Sequence, residues 1–296
     1  MTVLCGTHSG GFHADDVLAL ALIREFHDRE ASVVRTRDLG VLARCDLVFD
    51  VGGEFDPARG RFDHHQAEYR GDRSSAGMVL DWLTGRGDVD AQLSMHLREH
   101  LVDHVDAIDT GRKTPTHGVP CFTSIVGAFN DDPDESRDLD TRYRDAVAFA
   151  MRHLRGLRAG FARSQRARLA VRRAMDDAVA AGRRTLFFDE YLPWKGAYFE
   201  FGGIDHPSEF ALMPVEGAWR VLAIPPEPGS FGQKLPLPAS WAGLVDEALE
   251  AVTGVPGARF CHKNRFVAVF ATRDGALAAM RSFGLGGLDE RAVPAP

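Results

Sequence analysis

The stretch Thr7-His8-Ser9-Gly10-Gly11-Phe12-His13-Ala14-Asp15-Asp16 lies between two apolar segments of the chain. Residues 2–6 before it are a short apolar run that ends in glycine, and residues 17–23 after it are uniformly apolar. This order predicts a strand, a polar loop and a buried helix. Ligands of an open parallel sheet bind at the carboxyl ends of its strands, so the loop is placed for chemistry. His8, His13 and Asp15 are candidate ligands, whereas Asp16 also fits the acidic first turn of a helix.

Two more predicted strands follow this loop. Residues 32–37 end in Arg35 and Arg37, and residues 46–53 carry Asp50 just before two glycines. An acid directly after an apolar strand is often a turn residue. Because Asp50 follows its strand in series with the histidine loop, we interpret it as a ligand.

The sequence Phe62-Asp63-His64-His65 places one carboxylate and two imidazoles side by side. A mixed set of Asp oxygens and His nitrogens suits Mn²⁺, Fe²⁺, Co²⁺ or Zn²⁺. Neighbouring residues of a strand point to opposite faces, so His64 and His65 are expected to have different roles. One could bind metal while the other contacts substrate or is held by a carboxylate.

Two helices are predicted after this motif. Ser74 and Ser75 start the first, either as an N-cap or as contacts for a phosphate oxygen. The second begins at Ala91 and ends near Asp106 and Asp109. Acids are unfavourable at a helix C-terminus, which suggests that a cation holds them there, and Asp109 is the better candidate.

Residues 141–181 form a long arginine-rich helical stretch that Gly156 and Gly160 are expected to break. Such a charge run is typical of a solvated helix face, with a groove for nucleic acid as the alternative. After Gly182, strand-like segments at 185–189, 197–201, 209–214 and 219–224 alternate with Gly/Pro turns. We therefore predict two domains, residues 1–182 and 183–296.

Composition narrows the class of protein. The chain has 296 residues, 45% hydrophobic and 26% charged, as in a soluble globular protein. Four cysteines without a Cys-x-x-Cys pair, and no signal pattern, predict a reduced, cytoplasmic protein. A net charge of -7 disfavours non-specific duplex binding, and no apolar run approaches the ~20 residues of a membrane span.

The candidate ligands are more than one ion needs and suggest two. Two divalent ions clamp the attacking and leaving oxygens of a phosphoryl displacement. Asp50 or Asp15 is the natural bridge because a carboxylate offers two oxygens. His65 could donate to a phosphate oxygen or assist the leaving group.

Several motifs together resemble the DHH phosphoesterase superfamily. They are His8-x4-His13-x-Asp15-Asp16, Asp50 before Gly52-Gly53, Asp63-His64-His65, Ser74-Ser75-Ala76-Gly77 and Asp106-Ala107-Ile108-Asp109. More narrowly, the chain resembles the melanocyte proliferating gene (MYG) family of metal-dependent hydrolases, whose eukaryotic members are described as 3'-to-5' RNA exonucleases. The resemblance continues to Cys261-His262 and Arg273-Asp274-Gly275-Ala276 and so covers nearly the whole chain.

The resemblance implies an α/β protein with an N-terminal parallel-sheet domain and flanking helices, and a smaller C-terminal α/β domain with a mixed sheet that closes over the cleft. It implies two divalent ions, usually Mn²⁺, although Zn²⁺, Fe²⁺, Co²⁺ and Mg²⁺ are compatible. His13 stands where aspartate is more usual, which favours Zn²⁺ or Fe²⁺ more than an all-carboxylate site would. The matching ligands are His8, His13, Asp15, Asp50, His64 and Asp109, with Asp50 and His65 as catalytic residues. The predicted substrate-binding residues are Arg35, Arg37, Ser74, Ser75, His262 and Arg273, and the additional acids are Asp16, Asp63 and Asp106.

The leading hypothesis is a two-metal phosphodiesterase that removes nucleotides from the 3' end of short single-stranded RNA. The alternatives are a small-molecule phosphatase or pyrophosphatase, and a metal-binding scaffold without activity. No obligate protein partner is predicted, and a homodimer is compatible with the sequence.

Overall fold

A computed structural model describes residues 2–131, 133–134 and 136–288. The chain forms two compact units that meet between Phe161 and Ala162. This division lies inside one helix and falls earlier than the predicted boundary after residue 182. The α/β class is confirmed, because each unit contains a five-stranded sheet with helices.

The first unit alternates short strands with helices. Its sheet has the order β2-β1-β3-β5-β4, in which β4 alone is antiparallel to its neighbour. The elements are β1 (Leu4–Thr7), α1 (Ala14–Phe26), β2 (Ser32–Arg35), α2 (Leu39–Leu42), β3 (Leu47–Phe49), β4 (Phe55–Asp56), β5 (Arg61–Phe62), α3 (Ser75–Arg86), α4 (Ala91–Leu97), α5 (Asp103–Asp109), α6 (Phe122–Ala128) and the start of α7 (Leu139–Ala180). The predicted parallel sheet is confirmed, with the antiparallel strand β4 as an addition.

Helix α1 is the centre of the first core. Every residue from Ala14 to Ile23 is buried, as expected for a helix that is apolar on all sides. Strand β1 is closely packed at Gly6, because a Cβ there would lie 2.8 Å from Leu42 Cδ2. Together these features fix the loop between β1 and α1 on a rigid support.

Helices α4 and α5 are joined by a π-helical turn at Arg98–Val102. The apolar residues Leu93, Leu97, Leu101 and Val105 recur every four residues, a longer repeat than the 3.6 residues of an α-helical turn, and all are buried. A π turn contains more residues than an α turn and so keeps this stripe on one face.

The second unit contains a mixed sheet of order β6-β7-β8-β10-β9, as predicted. Strands β6 and β7 are parallel, and the other pairs are antiparallel. The elements after α7 are β6 (Thr185–Phe187), α8 (Trp194–Glu200), β7 (Phe210–Val215), β8 (Ala218–Ala223), α9 (Asp246–Thr253), β9 (Ala258–Cys261), β10 (Val267–Phe270) and α10 (Arg273–Ser282). Separate apolar clusters cover the two faces of this sheet.

Two local predictions are wrong. The expected strand at 197–201 belongs to α8, in which Trp194, Ala197 and Tyr198 bury one helical face. Helix α7 continues through Gly156 and Gly160 without a break, because its buried residues on either side hold it in place. Among the described residues, no helix is both long and apolar enough to cross a membrane.

Candidate metal centre

The candidate ligands come from separate segments that meet at the carboxyl ends of three neighbouring strands. His8 follows β1, Asp50 follows β3, and His64 lies two residues after β5. Asp15 lies in the first turn of α1, and Asp109 is the last residue of α5. The parallel sheet thus brings together residues that are far apart in sequence.

Asp50 lies at the centre of this group. Its Oδ2 is 3.2 Å from His8 Nε2, and its Oδ1 is 3.5 Å from both His64 Nε2 and His65 Nδ1. The Nε2 atom of His64 also lies 3.2 Å from Asp109 Oδ2. Possible ligand atoms lie within 4.8 Å of one another in four overlapping sets, namely His8/His13/Asp50, Asp50/His64/His65, His13/Asp15/Asp109 and Asp15/Asp16/Asp50. Asp50 belongs to three of these sets, so it could serve two ions at once.

Many polar atoms of the cluster are buried without a hydrogen bond. Neither oxygen of Asp15 or Asp50, and neither Nε2 of His8 and His64, has such a partner in the described part of the chain. A buried polar group without a partner costs about 1–3 kcal/mol, and a charged one costs more. Cations bound between these atoms would remove that cost, so the donor set fits divalent metal.

The pKa values of the carboxyl groups in the cluster also favour a bound cation. Burial, with Asp50 and Asp109 nearby, raises the pKa of Asp15 well above its usual range. Burial and Asp50 raise the pKa of Asp16 to about 7. Burial also acts to raise the pKa of Asp50, but contacts with His64 and His8 outweigh it and lower the value to about 2. Without a cation, these neighbouring carboxylates repel one another unless some of them are protonated. A divalent ion would take the place of those protons.

The two histidines of the Asp63-His64-His65 motif have different environments. The side chain of His64 is 7% exposed and points to Asp50 and Asp109. The side chain of His65 is 62% exposed, and its Nδ1 lies 2.8 Å from Asp63 Oδ1. Asp63 also accepts hydrogen bonds from the backbone of His65 and Gly53. Asp63 therefore orients His65 through Nδ1 and the backbone.

The loop between β1 and α1 is held by residues from the other end of the unit. The side-chain oxygen of Asn130 accepts from Phe12 N, and its amide nitrogen donates to Phe12 O. Asp16 accepts a hydrogen bond from His13 N, so it caps α1 and also lies in the ligand cluster. Asn130 was not predicted from the sequence, because a contact over 118 residues leaves no local pattern.

Arg35 also supports this loop. Its side chain is 3% exposed, pairs with Asp140 at 2.8 Å and donates to Gly10 O. The guanidinium lies 4.7 Å from the centre of the Tyr143 ring. The structure therefore gives Arg35 a positioning role, whereas Arg37 is exposed and could contact a substrate.

Three other predicted residues are structural. Asp106 accepts hydrogen bonds at Oδ1 from Ser74 N, Ser74 Oγ and Gly77 N, and it belongs to none of the ligand sets found in the described residues. Ser75 Oγ donates to Phe62 O. Ser74 and Ser75 are completely buried, which corrects the prediction that they bind substrate. Asp109, rather than Asp106, contributes an oxygen to one of the possible ligand sets.

His262 and Arg273 belong to the second unit. His262 accepts a hydrogen bond from Asn264 N, and its ring lies 4.3 Å from the ring of Phe266. Phe260 and Phe266 are 36% and 40% exposed, and neither was among the candidate residues predicted from the sequence. This aromatic group could have been recognised from the spacing Phe260-x-His262-x3-Phe266 around a tight hairpin. Arg273 lies near the rings of Phe187 and Trp219.

The fold and this cluster define an α/β protein with carboxylate and imidazole ligands at the carboxyl end of a parallel sheet. The MYG1_exonuc sequence model, described as Uncharacterised protein family (UPF0160), matches residues 4–282. The chain therefore belongs to this family, which confirms the predicted MYG membership.

Relatives cover nearly the whole chain. A protein of Chlamydia trachomatis named MYG1 protein is 38% identical over 277 residues, which are 93% of this chain and 94% of that protein. A human protein named MYG1 exonuclease is 33% identical over 322 residues, covering 94% of this chain and 84% of that protein. These relationships confirm the prediction that the chain is an enzyme of the hydrolase class.

A structural similarity is more distant. The crystal structure of RecJ from Thermus thermophilus in complex with Mn²⁺ matches with a TM-score of 0.29 and 14% identity, covering 99% of this chain and 53% of that one. At this level the similarity supports no conclusion about the site.

Proposed function

We propose that this protein is a divalent-metal-dependent phosphodiesterase that acts as an exonuclease on short single-stranded RNA. The observation that carries the proposal is the convergence of buried, unpartnered carboxylate and imidazole atoms around Asp50. The exonuclease name of the human relative supports a nucleic-acid substrate.

The residues that would hold two ions, Mn²⁺ first among the candidates, are His8, His13, Asp15, Asp50, His64 and Asp109. When bound, such ions neutralise charge that develops on phosphate oxygens and lower the pKa of water. Asp50 contributes one oxygen to each side of the cluster, which suits a bridging carboxylate. The Nδ1 of His8 lies 3.3 Å from Ser9 O, so a proton there leaves Nε2 free as a ligand.

His65 would act on the substrate rather than on the ions. Asp63 accepts from Nδ1 and stabilises the doubly protonated ring, in which Nε2 can donate a hydrogen bond to a phosphate oxygen or a proton to the leaving oxygen. In the second unit, the exposed rings of Phe260 and Phe266 suit base stacking, which single-strand binding uses without sequence preference. His262, Arg37 and Arg273 are the cationic or polar groups that we propose as substrate contacts.

The test compares hydrolysis of a 5'-labelled short RNA and of pyrophosphate by metal-stripped protein titrated with Mn²⁺. A ladder that shortens from the 3' end supports the proposal. Phosphate release from pyrophosphate alone would instead identify a small-molecule hydrolase.

Asp50→Asn is the matching variant. It should lower the rate by roughly 10³-fold or more, because the neutral amide weakens both sides of the cluster. Asp56→Asn, on the edge strand β4, is the control and should hydrolyse RNA at the normal rate. Unchanged turnover in Asp50→Asn would contradict the metal-dependent mechanism.

A further inference from the structure

The second unit contains a cavity of about 460 Å³ whose role the proposed hydrolysis does not explain. It lies between the C-terminal half of α7 and residues 183–192, which include β6. Helix α7 contributes Arg166, Arg173 and Asp177, and the other wall contributes Arg183 and Phe187. All of its lining residues belong to the second unit.

Arg183 is the unusual residue of this cavity, because it is only 5% exposed. Its Nη2 donates to Asp177 O at 3.0 Å, but Nε and Nη1 are buried with no hydrogen-bond partner among the residues described. The guanidinium lies 4.7 Å from the centre of the Phe187 ring. Burial lowers the pKa of Arg183, although an arginine keeps its charge in proteins. The negative charge of Asp177 partly offsets this effect of burial, but Nε and Nη1 still have no acceptor among the described residues, which is costly for a buried cation.

Two more arginines surround the cavity. Arg166 and Arg173 are seven residues apart on α7, so they project from the same face of the helix. Both are exposed, and Arg173 Nε forms a long ion pair with Asp177 Oδ2 at 3.7 Å. By contrast, Arg168 pairs with Glu200, and Arg172 lies 4.1 Å from the centre of the Phe201 ring. The arginines of α7 are therefore divided between structural contacts and the cavity.

The remaining walls limit the kind of anion. Asp177, Asp189 and Glu190 also line the cavity, so their charges would repel a long polyanion. Leu169 and Leu192 supply apolar wall next to the charged groups. A ligand with one compact anionic group and a small organic part matches this arrangement. The volume lies in the range of pockets for small ligands.

We propose that this cavity binds a compact phosphate monoester, with Arg183 as the anchor of the phosphate and Arg166 and Arg173 at its entrance. A guanidinium with free donors suits a phosphate because it can form two parallel hydrogen bonds. The site does not depend on the proposed hydrolytic function, since none of its residues belongs to the metal cluster.

The test is calorimetric titration of the full-length protein with AMP, inorganic phosphate and ATP, with a chelator present so that the metal cluster does not contribute. AMP should bind, and ATP should bind more weakly because of the acidic wall. Inorganic phosphate that binds as tightly as AMP would still support the site and identify the phosphate group alone as its ligand. Tighter binding of ATP than of AMP, or no binding of AMP and phosphate at millimolar concentration, would overturn the proposal.

Arg183→Met removes the anchor while retaining an apolar stem, and it should weaken AMP binding by roughly tenfold or more. The matched control is Arg184→Met, because Arg184 is exposed, pairs with Glu209 at 3.1 Å and does not line the cavity. Normal affinity in Arg183→Met would refute the assignment. If that variant does not fold, Arg183→Lys keeps the charge but loses the fork of donors, and it must also bind AMP more weakly.

Discussion

Asp15 and Asp106 are both completely buried in the first unit, but their surroundings differ. Oδ1 of Asp106 accepts three hydrogen bonds from Ser74 and Gly77, and Oδ2 lies 3.5 Å from Arg73 Nη1. Neither oxygen of Asp15 has a hydrogen bond to a described residue, and its neighbours include Asp50 and Asp109. Asp106 thus has one fully hydrogen-bonded oxygen and a second oxygen that faces Arg73 without a hydrogen bond, whereas neither oxygen of Asp15 has a partner among the described residues, an arrangement that suits a bound cation.

The first prediction changes the unsatisfied acid. Asp15→Asn should lower hydrolysis by roughly 10³-fold, but it should make the metal-free protein more stable. Folding raises the pKa of Asp15, so this group lowers the stability of the protein at every pH above its pKa in the unfolded chain. Removing the charge should therefore add about 1 kcal/mol or more to the free energy of unfolding at pH 8. Denaturant unfolding in chelator measures this change, and a less stable variant would contradict the comparison.

The second prediction concerns Asp106, whose Oδ1 accepts three hydrogen bonds. Asp106→Ala leaves the donors of Ser74 and Gly77 buried without an acceptor, so the free energy of unfolding should fall by about 3 kcal/mol. The rate per folded molecule should stay within a few-fold of normal, because Asp106 belongs to none of the ligand sets among the described residues. Asp106→Asn is the control, since its remaining oxygen can still accept these hydrogen bonds. A rate loss as large as that of Asp15→Asn would place Asp106 among the ligands.

The third prediction tests how tightly α3 packs on Asp106. A Cβ on Gly77 would lie 2.2 Å from Asp106 Oδ2, so Gly77→Ala should cost roughly 2 kcal/mol of stability. A Cβ on Gly85, in the same helix, would meet no described atom within 4 Å, so Gly85→Ala should be neutral or stabilise by up to about 1 kcal/mol. Thermal unfolding of the two variants measures the difference. Equal stability of the two variants would contradict this prediction, because it would mean that Asp106 moves away from the added methyl group at little cost.

These contrasts also explain what could be predicted from the sequence. His8, Asp50 and His64 each follow a short apolar strand, and parallel strands bring such positions to one edge. The ligand cluster was therefore accessible from local patterns together with the family resemblance. The same patterns favoured Asp109 over Asp106, but they did not reveal the role of Asp106, because that depends on its hydrogen bonds with Ser74 and Gly77, which lie about 30 residues away in the sequence.

Other features depend on contacts between distant residues. Ser74 and Ser75 have the composition of a phosphate-binding turn, yet packing against Asp106 and Phe62 uses their hydroxyls. Asn130 and Arg35 hold the ligand loop through partners that no sequence spacing indicates. In α8, the spacing of Trp194, Ala197 and Tyr198 was a helical signal that the aromatic, strand-like composition obscured.

The last prediction, with the smallest expected effect, concerns Asp63, whose surroundings are intermediate between those of Asp15 and Asp106. Asp63 is 2% exposed and hydrogen-bonded like Asp106, but it contacts His65 beside the ligand cluster. Asp63→Asn replaces an oxygen that accepts from Gly53 N by an amide, so the side chain cannot make all its present hydrogen bonds. Less firmly oriented, His65 should give a roughly tenfold lower kcat for RNA hydrolysis.

The affinity for Mn²⁺ separates the two ways in which Asp63 could act. It should stay unchanged in Asp63→Asn, because Asp63 belongs to none of the ligand sets found in the described residues. Titration of the metal-stripped protein and a rate measurement at saturating Mn²⁺ test both parts, with Asp56→Asn as the control. A parallel fall of affinity and kcat would show that Asp63 positions the ligands themselves, and Asp63 would then join Asp50 rather than Asp106 in the comparison.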